Sequence, residues 1–470
     1  MSTPQPLPTV RLYNSLTRRV DPLDPVTPGK VTIYTCGSTV YRYAHIGNLR
    51  TYLFGDLLRR TLEYLGYEVL YAKNITDVGH MRETGEDPIL LAAEVEGKSP
   101  AEIAEFYTDA WLTDEALLNL KPVDVMPSAT DHIAEMISLT QSLLDKGLAY
   151  EVNGNVYYDV SEFPGYGKLS GQRLEQMRAG HRVDVEHDKH DPQDFALWKL
   201  AEPGRLMKWP SPWGDGFPGW HIECSAMSMK YLGERFDVHT GGIDLKFPHH
   251  EDEIAQSEGA LGHEVVSVWL HGEFLTLGDA KMAKSAGNII RVSELPEKGF
   301  EPLDFRYLAL TAHYRSKLDF TEAAMQAAAH GLRRLRRAAA EGSSDQTDVD
   351  LSAEPMATYR ARFADAIADD LAMPAALAIA HAVASAADLA PAQRRALLLD
   401  FDRVLGLDLN ATPEPAGGEL PEGAADLLER RAAARAARDF STSDALRDEL
   451  AAMGVEVRDT PDGQVGSLRR

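Results

Sequence analysis

The pattern of apolar and polar positions changes character twice along this chain. Val31-Thr-Ile-Tyr-Thr-Cys36 is β-branched and apolar, so it predicts a buried strand, and Gly37-Ser-Thr-Val-Tyr41 leads from it into a helix. From His45 to Leu65 the apolar positions Leu53, Leu57, Leu58, Leu62 and Leu65 repeat at helical spacing, with Arg59 and Arg60 off the stripe and Gly66 as the stop. Glu68 to Thr76 reads as a second strand. Strand, glycine turn, long helix and strand within about 45 residues form one β-α-β unit, which implies a parallel sheet with a ligand crevice at the carboxyl ends of its strands. Cys36 stands at such an end.

Residues 100–150 read helical. A Gly/Pro/Trp-rich stretch over 151–215, with short strands at Asn155–Asp159 and Asp194–Trp198, then interrupts the rhythm as an insertion. The rhythm resumes with Trp220–Met229, the strand Phe236–His239 and a helix opened by Pro248. After Leu318 the composition turns to alanine, arginine and leucine, as in a helical bundle, with a loop at Gly342–Pro355. The fold class expected is α/β: a Rossmann-type parallel-sheet domain over 1–318 with an insertion at about 115–215, an α-helical bundle over 319–410, a Pro/Gly linker over 411–424, and a small C-terminal α/β domain over 425–470.

Composition narrows the function classes. With 44% hydrophobic and 26% charged residues in 470, the chain is neither disordered nor collagen-like. Its longest weakly polar run, Leu371–Ala387, contains Pro374, His381 and Ser385 and falls short of the ~20 apolar residues of a membrane span. The first residues, Met-Ser-Thr-Pro-Gln-Pro-Leu-Pro, lack a basic segment and an apolar stretch, so a cytoplasmic location and no membrane partner are expected. Forty-eight basic against 72 acidic residues give a net charge of −24, so any polyanion must be met by a local basic patch. The two cysteines make no disulfide framework.

Their contexts carry chemistry instead. Cys224 is followed by His249 and Glu253, which are i,i+4 on the expected helix; with Cys36 they offer two sulfurs, an imidazole and a carboxylate, a set that suits tetrahedral zinc. Two small buried thiols and a solvated acidic helix start account for the same spacing. Ser38 to Asn48, including His45 and Gly47, lies at a strand-to-helix turn, where free N–H groups and the helix dipole favour phosphate. Lys281-Met-Ala-Lys284-Ser285 offers two ammonium groups suited to a triphosphate from the opposite side. Singly, each is as readily a cap or solvated surface.

As a set, in this order, they resemble the cysteinyl-tRNA synthetases, a class I aminoacyl-tRNA synthetase family. The resemblance covers nearly the whole chain and is carried by Tyr34-Thr-Cys-Gly-Ser-Thr-Val-Tyr41, Asn74-Ile-Thr-Asp77, Trp209-Pro-Ser-Pro-Trp-Gly214, Gly219-Trp-His-Ile-Glu-Cys-Ser-Ala-Met227 and Phe247-Pro-His-His-Glu-Asp-Glu-Ile-Ala-Gln-Ser257, with His45-Ile-Gly-Asn48 and Lys281–Ser285 in the places of the family's H-I-G-H and K-M-S-K-S elements. It implies one zinc on Cys36, Cys224, His249 and Glu253 that selects the substrate thiolate. It also implies a cysteine pocket with Thr76 and Trp220, Asp244 near the substrate ammonium, and His239 among the active-site histidines; Asp237, Glu223 and His250 are expected to be structural. ATP, accompanied by magnesium, is expected on His45, Gly47, Asn48, Lys281 and Lys284, with His45, Lys281 and Lys284 catalytic. The implied reaction joins L-cysteine to tRNA(Cys) through a cysteinyl-adenylate, in a monomer.

By the same resemblance residues 270–318 contact the tRNA stem and 425–470 bind the anticodon, with Arg435 and Asp459 at contacting positions. That tail holds eight basic and nine acidic residues, so directed hydrogen bonds to unstacked bases must do the recognising. Arg333, Arg334, Arg336 and Arg337 offer a phosphate-binding ridge or, as readily, a solvated helix face. The chain departs from the family pattern at Asn48, Ala283, Gly79-His80 and Asp369–Met373, and lacks a terminal tryptophan. The rival enzyme is the mycothiol-pathway ligase, which joins cysteine to an amino sugar and lacks the full tail that Arg435 to Gly463 supplies here; a non-catalytic RNA- or zinc-binding paralogue is the rival from another class.

Overall fold

The structure is a computed structural model that describes residues 7–80, 87–172, 188–277, 280–281, 290–342, 349–411, 421, 423–460 and 463–468. Most of the 411–424 linker and residues 343–348 of the Gly342–Pro355 loop lie outside them. A short hairpin, β1 (Arg11–Asn14) and β2 (Arg19–Pro22), precedes β3 (Lys30–Thr39), α1 (Ile46–Tyr64) and β4 (Glu68–Thr76). Then come α2 (Pro88–Glu96), α3 (Pro100–Leu117) and α4 (Ile133–Asp145), followed by an antiparallel sheet of β5 (Ala149–Val152), β6 (Asn155–Tyr158), β7 (Phe195–Leu200) and β8 (Gly216–Pro218). After it run α5 (Trp220–Leu232), β9 (Phe236–Gly242), α6 (His249–Leu261) and β10 (Val266–Gly272).

The central sheet has the order β10-β9-β3-β4, and all its pairs are parallel. The first β-α-β unit extends the sheet to one side and the later strands extend it to the other. The chain therefore switches direction between β3 and β9, and a crevice opens at their carboxyl ends. β3 runs three residues past Cys36 because its register against β4 shifts between Thr35 and Ser38. Gly37 permits this: a Cβ there would stand 1.6 Å from the Asn74 carbonyl oxygen.

Helix α1 begins with a reciprocal cap, the Asn48 N–H donating to His45 Nδ1 at 3.2 Å and the His45 N–H to Asn48 Oδ1 at 3.3 Å. On α6, Pro248 is the cap and His249 the first helical residue, one position later than the sequence suggests. Beyond β10, strands β11 (Leu275–Leu277) and β12 (Ala280–Lys281), helix α7 (Pro302–Leu310) and β13 (Leu318–Asp319) lead to the bundle of α8 (Glu322–Glu341), α9 (Met356–Ala368), α10 (Met373–Ala384) and α11 (Pro391–Leu405). The tail is α12 (Ala424–Ala436), α13 (Phe440–Ala452) and the hairpin β14 (Val455–Thr460) and β15 (Gly463–Leu468).

One core joins α1, a face of the central sheet and the bundle, from Val10 through Leu62 and Phe305 to Leu409. A second lies between the sheet, α4 to α6 and the inserted strands, and a third, around Ala424, Leu450, Val455 and Val457, belongs to the tail. At the seam between α1 and the bundle, Asp56 accepts from Arg60 at 2.8 Å and from the fully buried Arg306 at 2.7 Å. Arg306 also donates to the carbonyls of Leu405 (2.7 Å), Leu118 (2.9 Å) and Asn119 (3.1 Å). Burial opposes the Asp56 charge, but Arg306 and Arg60 outweigh it and hold the carboxyl below its ordinary range.

The arginine ridge expected on α8 is interrupted. Arg336 is buried, donating to Glu301 at 2.7 Å and to the Leu407 carbonyl at 3.2 Å. It falls on the helix's apolar stripe with Leu332 and Leu335, while Arg334 and Arg337 are exposed and Arg333 is half-buried.

Candidate functional site

Four residues distant in sequence converge beneath the crevice. The end of β3 supplies Cys36, the first turns of α5 supply Cys224, and the first turn of α6 supplies His249 and Glu253, all four buried. Their donor atoms lie within 4.8 Å of one another. The two sulfurs are 3.7 Å apart, Cys36 Sγ is 3.6 Å from Glu253 Oε1, and His249 Nε2 is 3.1 Å from the same oxygen. Two thiolates bound at about 2.3 Å to one tetrahedral ion stand about 3.8 Å apart, so this donor set fits a divalent cation that favours sulfur and nitrogen. Cys36, His239, His250 and Glu253 form an overlapping set with one sulfur fewer.

A layer of histidines holds the four. His239 Nε2 meets Glu253 Oε2 at 2.8 Å, and His250 bridges Cys36 Sγ (3.3 Å) and His271 Nε2 (2.9 Å), which ends on the Ser15 hydroxyl at 2.8 Å. His221 Nδ1 faces His249 Nδ1 at 2.9 Å, while its Nε2 lies 3.3 Å from Asp252. Burial pushes the Cys36 thiol well up. It also opposes charge on Glu253 and His249, yet His239 and His249 keep the carboxyl well below its ordinary range, and Glu253 lifts His249 to about 10.

Above this cluster lies a cleft of about 270 Å³ lined by Cys36, Gly37, Tyr43, Asn48, Trp220 and Asp244, among others. Trp220 stacks on His249 with ring centroids 4.5 Å apart, so one side chain borders both cluster and cleft. Asn48 reaches the cleft with its Oδ1 engaged in the helix cap. The sequence-expected residues Thr76 and His239 stand behind the wall. The Thr76 hydroxyl donates to Glu223 at 2.9 Å, an oxygen pair that His80 also engages, and His239 is fully buried against Trp269. Gly47 lies in the first turn of α1 and His45 is its cap.

Of Lys281 only the backbone, in β12, is described; Ala283 and Lys284 lie outside the described residues. Arg435 lies exposed on α12, and Asp459 lies on β14, where its backbone alone is described. Asn74 falls within a resembling block but was assigned no role there, yet its Oδ1 accepts the Gly37 N–H at 2.9 Å and lies 3.7 Å from Cys224 Sγ, and its amide donates to Thr76 at 3.1 Å. A buried amide at the carboxyl end of a strand is the signal that could have found it.

Comparison with known proteins agrees with this geometry. A family profile described as the tRNA synthetases class I (C) catalytic domain matches residues 22–330, and one described as the Cysteinyl-tRNA ligase anticodon binding domain matches 417–465. The chain is similar to the cysteine–tRNA ligase of Thermus thermophilus, at 45% identity over 98% of this chain and 99% of that one. It is likewise similar to that of Chlorobaculum tepidum, at 44% identity with the same coverage. Among solved structures it shares its fold with Mycobacterium tuberculosis methionyl-tRNA synthetase in complex with methionyl-adenylate (TM-score 0.54, 17% identity, 88% of this chain and 96% of that one). It also shares it with a ternary complex of Agrobacterium radiobacter LeuRS with tRNA and LeuAMS (TM-score 0.58, 13% identity, 83% and 85%).

Proposed function

This chain belongs to the class I cysteine–tRNA ligase family and is a cysteine–tRNA ligase acting on ATP, an amino acid and tRNA; from that premise we propose how its residues divide the work. Cys36, Cys224, His249 and Glu253 would hold zinc, which would supply there a Lewis acid with affinity for a substrate thiolate and no comparable hold on a serine hydroxyl or an alanine methyl. Selection of cysteine therefore needs no second, editing site. The observation that carries this reading is the 3.7 Å approach of Cys36 and Cys224 directly under a cleft bordered by Trp220.

Trp220 walls the amino-acid side, and Asp244, which lines the same cleft, receives the substrate ammonium. Thr76 and His239 act from behind it, Thr76 through Glu223 and His239 by holding Glu253. The cysteine carboxylate attacks the α-phosphorus of ATP in line and pyrophosphate leaves. His45, Gly47 and Asn48, at the N-terminus of α1, meet the phosphates from one side, and Lys281 and Lys284 neutralise them from the other, with magnesium travelling on the nucleotide. A terminal ribose hydroxyl of tRNA(Cys) then attacks the adenylate carbonyl and AMP leaves.

Residues 1–318, 319–410 and 425–470 serve as catalytic, bundle and anticodon-binding regions, the last reading bases through Arg435 and Asp459. The tail's match to an anticodon-binding profile favours this over the amino-sugar ligase reading. Cysteine-dependent ATP–pyrophosphate exchange, followed by charging of total tRNA with cysteine, tests it. Exchange without charging would favour the amino-sugar ligase, and exchange with serine at equal efficiency would sink the selection mechanism.

A further inference from the structure

The chain that follows the expected catalytic lysines is fastened, at Ile290 and Arg291, to the phosphate turn. The N–H of Ile46, the first helical residue of α1, donates to the Ile290 carbonyl at 3.0 Å. One of the helix's free N-terminal donors is thereby committed to the chain that follows Lys284. Next to it the Arg291 guanidinium lies flat over the Tyr43 ring, its Cζ 3.5 Å from the centroid. Its Nε is buried without a hydrogen-bond partner among the described residues, and its charge also acts on the nearby Asp114 carboxyl, so the Tyr43 face is one of two holds on this guanidinium. Tyr43 is braced in turn by the edges of Tyr107 (5.1 Å) and Phe106 (6.0 Å) from α3, and it lines the cleft.

Tyr43 precedes His45 by two residues and Arg291 follows Lys284 by seven. We propose that the Tyr43–Arg291 stack, together with the Ile46–Ile290 hydrogen bond, is a clamp that sets where the lysine-bearing segment returns to the phosphate turn, making Tyr43 and Arg291 positioning residues for adenylate formation. This rests on the proposed role of Lys281 and Lys284. Neither Tyr43 nor Arg291 is asked to touch a reacting atom. Their effect is on where the chain at Ile290 and Arg291 meets the phosphate turn, and it therefore falls on the nucleotide and leaves cysteine binding alone.

The test uses the full-length zinc-loaded protein and the ATP and cysteine dependence of pyrophosphate exchange. Y43L and R291M should each lower kcat/KM for ATP about tenfold, the scale of a partly desolvated cation–π contact, with KM for cysteine unchanged. The double variant should be no worse than either single one, since both remove the same contact. Y43F, which keeps the ring, should stay within about twofold of the parent. Unchanged ATP parameters in folded Y43L or R291M, additive losses in the double variant, or a parallel rise in KM for cysteine would overturn the clamp. Should Y43L fail to fold, R291M and Y43F decide. A parent protein with no cysteine-dependent exchange would instead overturn the proposed function.

Discussion

Cys36 and Cys224 lie 188 positions apart in the chain, and their sulfurs stand 3.7 Å apart at the carboxyl end of the central sheet. A disulfide requires about 2.05 Å. Their spacing matches that of two thiolates on one tetrahedral ion, and the sheet's reversal between β3 and β9 brings them together.

Replacing one of the sulfurs tests that assignment. Cys224→Ser should lose zinc or hold it on the order of 100-fold more weakly, because a hydroxyl replaces a soft thiolate among four ligands. Zinc content by atomic emission, with circular dichroism to establish folding, is the measurement. Stoichiometric zinc and normal cysteine activation in the variant would refute the site.

Removing residues 425–470 should separate the two half-reactions. The tail has its own core, so pyrophosphate exchange should remain within about twofold of the parent while tRNA charging falls at least about tenfold. Equal charging by truncated and intact protein would leave Arg435 and Asp459 without a role.

The Asp56–Arg306 pair should dominate the stability of the seam between sheet and bundle. Arg306→Met leaves Asp56 with Arg60 as its one guanidinium partner and removes the donor to the Leu405, Leu118 and Asn119 carbonyls, which should cost about 3–5 kcal/mol in urea unfolding. A single variant within about 0.5 kcal/mol of the parent would show the pair to be incidental.

Asp114 makes stability depend on pH in the weakly acid range. Burial pushes its carboxyl up to about 6, with Arg291 pulling the other way, and its Oδ2 has no hydrogen-bond partner among the described residues. Between about pH 4, where it titrates unfolded, and its folded value near 6, the native state binds a proton that the unfolded chain has released, so stability falls as pH rises through that window. Asp114→Asn should match the parent near pH 4 and exceed it by roughly 2 kcal/mol at pH 7. A difference in melting temperature that stays flat from pH 4 to 8 would contradict this.

Much of the sheet was legible in the sequence because its strands are continuous apolar runs. The Glu68–Thr76 strand and the helix ending near Leu65 were readable to within a residue. The strand through Cys36 was cut short, since Gly37-Ser-Thr reads as a turn when the Asn74 carbonyl that Gly37 must approach is out of sight. The four donor residues could be named from motif and helical phase. The histidines behind them could not be arranged, because pairs such as His221–His249 and His250–His271 depend on tertiary contacts that no local period encodes. Arg336 is different: its place on the stripe with Leu332 and Leu335 already marked it as inward-facing, and reading the arginines as one ridge overlooked that phase.

The shared core has a consequence for how such a chain can be recombined with its relatives. Arg306 ties the carbonyl of Leu405 to Asp56, and Asp370 accepts from the Tyr13 N–H at 2.9 Å and the Tyr314 hydroxyl at 2.6 Å, so a crossover near residue 318 would split partners on both sides of the joint. The tail differs in that its apolar residues Ala424, Leu450, Val455 and Val457 form a core of their own. An exchange joint in the linker after residue 411 would leave the shared core of sheet and bundle and the separate core of the tail each whole.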